Sequence, residues 1–388
     1  MYFRDIIGQE PLKRQFIKTV RGGHLPHAQL ITGTSGCGSL PLALAYARYI
    51  ACTDKGEEDA CGQCAACKQF DKLVHPDTHF VFPIFKPNSH KKWVCDDFLP
   101  QWRNLVLGEA GYFSYHQWMG HIKAENAQGM IYAEESDEII RKLNYKAYES
   151  THKVMIIWLP EKMNETCSNK LLKLLEEPPT NTVFLLVTEH SDALLATIRS
   201  RTQLIRVKGI DQATLADALR TRTDFDDQTI TDASRMAGGS YLKALEYGQT
   251  NEEQAWYLEQ FIRCMRGVYT IANFTPDKKL EKQRSLKDLK QWADEMAKLG
   301  REKEKNYLAY AQRLVRENFI LNLKQDELTY LNKAERAFSE RFSPFINHSN
   351  VMAFMEELAL AERHIEGNVN ARLVFFDLVL QSILLFKR

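Results

Sequence analysis

Four of the eight cysteines, Cys52, Cys61, Cys64 and Cys67, crowd into a C-x8-C-x2-C-x2-C pattern. The two tight steps let neighbouring thiolates reach one ion, and Cys52 arrives from the end of a preceding helical stretch. Four thiolates complete a tetrahedral shell with no position for water, so the chemistry expected is structural zinc rather than catalysis. An iron–sulfur cluster is the alternative that four cysteines also suit. Cys37, Cys95, Cys167 and Cys264 are scattered and read as small buried residues. A second constellation is the glycine loop Gly33-Thr34-Ser35-Gly36-Cys37-Gly38. A working phosphate loop needs G-x-x-x-x-G-K-[ST], with Lys for the β/γ-phosphates and a hydroxyl for Mg²⁺. Gly33 and Gly38 hold the glycine positions, but Ser39 stands in place of the Lys and Leu40 in place of the hydroxyl. The apolar run from Val154 repeats this loss. It ends in Trp158, Leu159 and Pro160 where an ATPase places Mg²⁺-holding carboxylates, and Glu161 comes only after the proline. Backbone N–H groups at a helix start could still attract an anion, but neither tight ATP binding nor hydrolysis is expected.

The elements that must position these residues follow from periodicity. Residues 27–32 read as a strand running into the glycine turn, and residues 40–51 as a buried helix. Val154 to Leu159 and Val183 to Val187 suit buried central strands, and a helix over 169–176 is stopped by Pro178-Pro179. Strand–helix alternation to about residue 207 predicts a parallel α/β domain over 1–207. Residues 208–250 carry short helical stretches around Gly238-Gly239, and residues 251–388 long amphipathic helices. The stretch 276–305 is dense in Lys, Glu and Asp and reads as a solvated helix face rather than a DNA contact. Residues 80–129 hold a concentration of rings, including Phe82, Trp102, Tyr112, Phe113 and Trp118. That is an ordered insertion packed on the α/β domain, with partner contact as the alternative. Fifty-one Lys plus Arg against fifty Asp plus Glu leave a net charge of +1, so nothing global advertises nucleic acid. The longest apolar run, 373–386, is too short for a membrane span and is broken by Asp377 and Gln381. With no apolar leader after Met1, the expectation is a cytoplasmic protein that keeps its thiols reduced.

Several short runs together resemble the delta-prime subunits of bacterial DNA polymerase III clamp loaders, in the AAA+ superfamily. They are Ile7-Gly8-Gln9-Glu10, Pro26-His27-Ala28, the four-cysteine cluster, His75-Pro76-Asp77, the run from Asn169 to Glu176-Glu177-Pro178-Pro179, and Thr197-Ile198-Arg199-Ser200-Arg201. Gly239-Ser240-Tyr241-Leu242 resembles the lid-domain sensor motif, with Leu242 where active members carry Arg. Thr202 stands where the family often has Cys. The resemblance implies an α/β AAA+ P-loop-type domain with a parallel sheet, a small helical lid and an all-α C-terminal collar. It implies a non-catalytic, stator-like subunit that helps place the sliding clamp on primer–template DNA with gamma/tau and delta subunits. It also implies that Ser200-Arg201 supplies an arginine finger in trans to a neighbouring gamma/tau ATP site, with Arg199 the likelier salt-bridge former. The rival readings are a gamma/tau-type ATPase and a zinc-bearing nucleic-acid-binding module.

Overall fold

The computed structural model describes residues 1–87, 92–124, 127–248, 252–274, 279–325 and 328–387. Pro276, Asp277 and the end of the 208–250 segment therefore lie outside the described residues. The chain divides into two compact units, Met1–Gly248 and Gln249–Arg388.

The first unit is built on a five-stranded sheet: β1 (Ala28–Thr32), β2 (Thr78–Val81), β3 (Lys153–Trp158), β4 (Thr182–Thr188) and β5 (Gln203–Arg206). Its order is β2-β3-β4-β1-β5 and every pairing is parallel. β3 and β4 are buried along their whole length, which is why they read as unbroken apolar runs rather than alternating ones. The polar exceptions stand at the strand ends, Thr182 and Thr188 in β4 and Lys153 in β3, whose ammonium donates to the carbonyls of Leu143 and Tyr145. The helix Ser39–Ala51 follows the glycine turn and is buried over nearly all its length, so its residues are mostly apolar, with the buried Arg48 paired to Asp71 at 2.6 Å.

Among the described residues of the aromatic segment, which leave out 88–91 and 125–126, the rings pack into the sheet core, as expected, but the start of the segment is corrected. Phe80 and Val81 belong to β2, paired with Ile156 and Ile157, and the insertion begins at Phe82. The Phe82 ring stacks on Trp102 at 4.3 Å, and Trp118 meets both edge-on. The indole N–H of Trp118 donates to the Pro83 carbonyl at 2.7 Å. This satisfies the polar handle of a fully buried ring.

After β5 come the helices Gln212–Arg222, Asp227–Met236 and Tyr241–Gly248. Asp211 and Asp226 cap the first two by accepting the N–H groups of Thr214 and Thr229. Gly238 and Gly239, at φ 56° and 85°, separate the last two. Their apolar faces form a small core of their own around Leu215, Leu219, Ile230 and Tyr241.

The second unit is helical: Glu252–Ala272, Lys279–Met296, Arg301–Asn322, Lys333–Phe342, Val351–Glu366 and Ala371–Leu385. Leu289, Trp292, Ala293 and Met296 turn one side of the charged second helix inward, while its Asp288 and Glu295 bind Arg263 at 2.6 and 2.5 Å. Among the described residues no helix is long and apolar enough to cross a membrane.

Candidate functional site

The carboxyl end of β1 delivers the chain into the phosphate loop. Gly36 and Gly38 adopt left-handed φ of 78° and 96°, and Gly38 is the last residue before the helix Ser39–Ala51. The two left-handed glycines shape the turn into that helix. The chemistry at its end differs: Ser39 Oγ lies 3.2 Å from Cys37 Sγ, and Leu40 is buried. The small helical domain closes over the turn. Ser240 Oγ donates to the Ser35 carbonyl at 2.8 Å, and the Tyr241 N–H to the Gly36 carbonyl at 3.0 Å. A Cβ on Gly36 would stand 2.9 Å from the Leu242 nitrogen, so the lid backbone lies directly against the turn, and Leu242 is buried in the lid's own core. Gln9 adds a strap, donating through Nε2 to the carbonyls of Cys37 and Lys208 at 3.1 and 2.7 Å.

What remains above the loop is a cavity of about 30 Å³, lined by Tyr112, Phe113, Trp158 and Glu189 as well as the loop itself. That leaves room for about two water molecules, against roughly 300–1,000 Å³ for a small-molecule site. Trp158 is buried at the end of β3, and Leu159 turns the chain through a left-handed φ of 55° into Pro160. Glu161 is engaged elsewhere. Its carboxylate accepts Thr188 Oγ1 at 2.8 Å and the N–H groups of Glu189 and His190 at 3.1 and 3.3 Å. It ties down the turn after β4. Burial raises the pKa of Glu189. Neither the roles of Tyr112 and Phe113 nor that of Glu161 was found by sequence reasoning; the only trace of the first was the density of rings around it.

The helix that starts at this loop ends at the four cysteines. Cys52 is the residue after its last turn, and Cys64 caps the helix Ala65–Phe70, which carries Cys67. The sulfurs lie within 4.8 Å of one another, with separations of 3.6 Å for Cys52–Cys61, 3.9 Å for Cys52–Cys64 and 4.0 Å for Cys61–Cys67. A tetrahedral ion with Zn–S bonds of ~2.3 Å requires sulfurs ~3.8 Å apart. The set fits a single ion of that size. An iron–sulfur cluster, whose thiolates bind different irons, spreads its sulfurs further. Backbone N–H groups already point at the sulfurs: Cys61 to Cys52, Gln63 and Cys64 to Cys61, and Cys67 to Cys64, each at 3.4 Å. These are the bonds that favour thiolate. Burial opposes ionisation of Cys64, but the Cys67 N–H and Thr53 outweigh it and lower its pKa to about 6. Burial raises Cys52 and Cys67. Cys37, Cys95, Cys167 and Cys264 are buried singly, as expected.

Arg201 stands between the short helix Ala196–Arg199 and β5. Its guanidinium binds Glu176 Oε1 at 2.7 Å and donates to the Thr197 carbonyl and Ser200 Oγ at 3.0 and 3.3 Å. The side chain keeps 36% of its surface exposed. Arg199 makes the ion pair expected of it, with Asp192 at 3.0 Å, and Arg201 is paired as well. The pairing joins two runs quoted separately from the sequence, Glu176-Glu177-Pro178-Pro179 and Ser200-Arg201. A third run meets the same helix end, where His27 Nε2 lies 3.2 Å from the Leu175 carbonyl. Neither Arg201 nor any of the four clustered cysteines lines the cavity over the phosphate loop.

Comparison with known proteins covers these places. The family described as DNA polymerase III, delta subunit, matches residues 8–211. The chain is 29% identical over 253 residues to the DNA polymerase III subunit delta' of Haemophilus influenzae, covering 65% of this chain and 64% of that protein. It is 25% identical over 241 residues to the delta' subunit of Escherichia coli, covering 62% and 60%. To the gamma subunit of Buchnera aphidicola from Acyrthosiphon pisum it is 26% identical over 279 residues, covering 71% and 62%. The matched stretches span less than two thirds of the length of these relatives. The family match takes in more than half of the chain, from just before the phosphate loop through the cysteines to Arg201, and the chain belongs to the DNA polymerase III delta-subunit family.

Proposed function

We propose that the chain is a non-catalytic, stator-like subunit of a DNA polymerase III clamp loader, working in the cytoplasm. It assembles with gamma/tau and delta subunits and helps place the sliding clamp on primer–template DNA. In this reading residues 1–207 are the AAA+ domain, 208–250 its lid and 251–388 a collar for assembly. The observation that carries it is the phosphate loop, which has Ser39 and Leu40 in place of Lys and hydroxyl and about 30 Å³ of space above it. Relatives of both delta' and gamma type match the chain, and the loop chemistry supports the first of the two roles. Arg201 is the residue suited to act outward, on a neighbour. Its guanidinium is permanently charged and forks onto phosphate oxygens, and its present partner Glu176 is half exposed. A surface pair of this kind is worth only about 0–1 kcal/mol, so exchanging Glu176 for a phosphate on an adjoining subunit is inexpensive. Ser200 Oγ braces the guanidinium from its own turn. Cys52, Cys61, Cys64 and Cys67 would hold one zinc ion, which cross-links the 53–67 loop to the helix end and supplies no reactive position.

The test is made on the purified full chain. It should form a complex with gamma/tau and delta subunits while turning over no ATP alone and binding none at micromolar concentration. ATP turnover by the isolated chain would assign it to the gamma/tau-type ATPases instead.

A further inference from the structure

Residues 109–113 form a turn whose two tip side chains enter different cores. The helix Leu99–Gly108 ends there, and Ala110 and Gly111 both take left-handed φ, 49° and 73°. The turn is closed by the Gly111 N–H to the Val106 carbonyl and the Tyr112 N–H to the Glu109 carbonyl, at 2.9 and 2.8 Å. Phe113 packs in the sheet core, edge-on to Trp158 at 5.2 Å. Its neighbour Tyr112 is buried in the core of the small helical domain with Ile210, Leu215 and Tyr241. The Tyr112 ring meets Tyr241 edge-on at 5.2 Å, and its oxygen accepts the Ile7 N–H at 3.0 Å. The same oxygen sits over the phosphate loop, 3.1 Å from where a Cβ on Gly38 would be. Arg222 lies within 6 Å of both tyrosine rings and donates to the Asp5 carbonyl at 2.6 Å.

We propose that this turn is a built-in substitute for nucleotide: it fills the cleft above the phosphate loop, and Tyr112 ties the helical lid to the α/β domain in one fixed arrangement. The inference rests on the reading that the chain uses no nucleotide, and extends it by giving the aromatic insertion a task. A phenol and its neighbours bridge the lid and the α/β domain within one chain, through non-covalent contacts. Apolar burial, an edge-on ring pair and a hydrogen bond do the holding, and none of these depends on ligand concentration.

Hydrogen exchange on the full chain tests the tie. Tyr112→Ala should speed exchange of the Ile7 and Tyr241 amides and of the lid helices by about tenfold or more, with the amides of β3 and β4 unchanged. Tyr112→Phe keeps the ring and should restore lid protection, leaving only the Ile7 amide faster. Unchanged lid exchange in Tyr112→Ala would overturn the proposal. A second variant tests the filling. Ser39→Lys with Leu40→Thr restores the missing charge and hydroxyl but keeps Tyr112, and it should still give no heat of binding with MgATP. Binding by that variant would overturn the filling while leaving the nucleotide-free role of the native chain intact. Micromolar binding by the unaltered chain would overturn the underlying role itself.

Discussion

Arg201 and Asp77 carry the two clearest single-residue consequences, and they differ in kind. Arg201 holds Glu176 at the surface, so removing it should change thermal stability by less than about 1 kcal/mol. In a reconstituted loader Arg201→Ala should lower DNA-stimulated ATP hydrolysis several-fold. A finger in a single active site contributes about 10³–10⁵, and a ring with other intact sites dilutes that loss. Glu176→Gln removes the same ion pair without touching the guanidinium, and hydrolysis should stay near the wild-type rate. Equal losses in the two variants would make the pair structural and take Arg201 out of the reaction. Asp77, from the His75-Pro76-Asp77 run, works entirely inward. Its buried carboxylate accepts the N–H groups of Tyr148, Glu149 and Ser150 at 2.6, 2.8 and 2.8 Å. Burial pushes its pKa up, but these donors outweigh it and hold the pKa below the ordinary value. Its stabilisation is therefore present above the usual Asp range near 4 and is lost as pH falls through the depressed folded value. Asp77→Asn loses the charge and one acceptor oxygen, and should cost about 2 kcal/mol or more in urea unfolding at neutral pH.

The helix Ser39–Ala51 shows how one element can be read from sequence at both ends and misjudged in the middle of its surroundings. Its glycine turn and its terminal cysteine were legible because each depends on residue types at fixed spacing. β1, β3 and β4 were legible too, because strands buried on both faces leave unbroken apolar runs. The short flanking strands were not. β5 exposes Gln203, Leu204 and Arg206, and β2 begins with Thr78 and His79, so neither has a continuous run. The tips of the 109–113 turn were illegible for a different reason, since which core a ring enters is set by tertiary placement. At the element's cysteine end the consequence is a metal. Elemental analysis of unchelated protein should find about one zinc per chain, and Cys61→Ser or Cys64→Ser should lose it. Removing the ion with a chelator should expose the 53–67 loop to proteolysis while β3 and β4 stay protected. Metal-free protein whose four thiols all alkylate under native conditions would exclude the site. The loop also anchors the amino-terminal segment, since Asp59 accepts the N–H groups of Phe3 and Arg4 at 3.1 and 3.0 Å. Exchange at those two amides should rise with chelation.

At the scale of the whole chain, each unit has its own apolar core, one around the sheet and one around Trp292, Tyr307 and Phe375. Calorimetry is therefore expected to resolve two transitions, of which chelation lowers only the one belonging to residues 1–248. Acid gives an independent assignment. His79 on β2 is held neutral by burial, which brings its pKa down from 6.5 to about 4, and burial also lowers His75. Below pH 6.5 the unfolded chain takes up a proton that the folded β2 refuses. The stability of the first unit should then fall as pH drops from 6.5 towards 4, by up to about 3 kcal/mol from His79. Glu135 and Glu189 act in the opposite sense, because burial raises their pKa and protonation favours the fold. The raw pH profile therefore mixes the two. The difference between the wild type and His79→Gln isolates the histidine: the variant should gain relative stability steadily from pH 6.5 to pH 4. The gain should appear in the chelation-sensitive transition and leave the other where it is. A single transition carrying the gain would mean that the two units unfold as one, and a flat difference would mean that His79 is protonated in the fold.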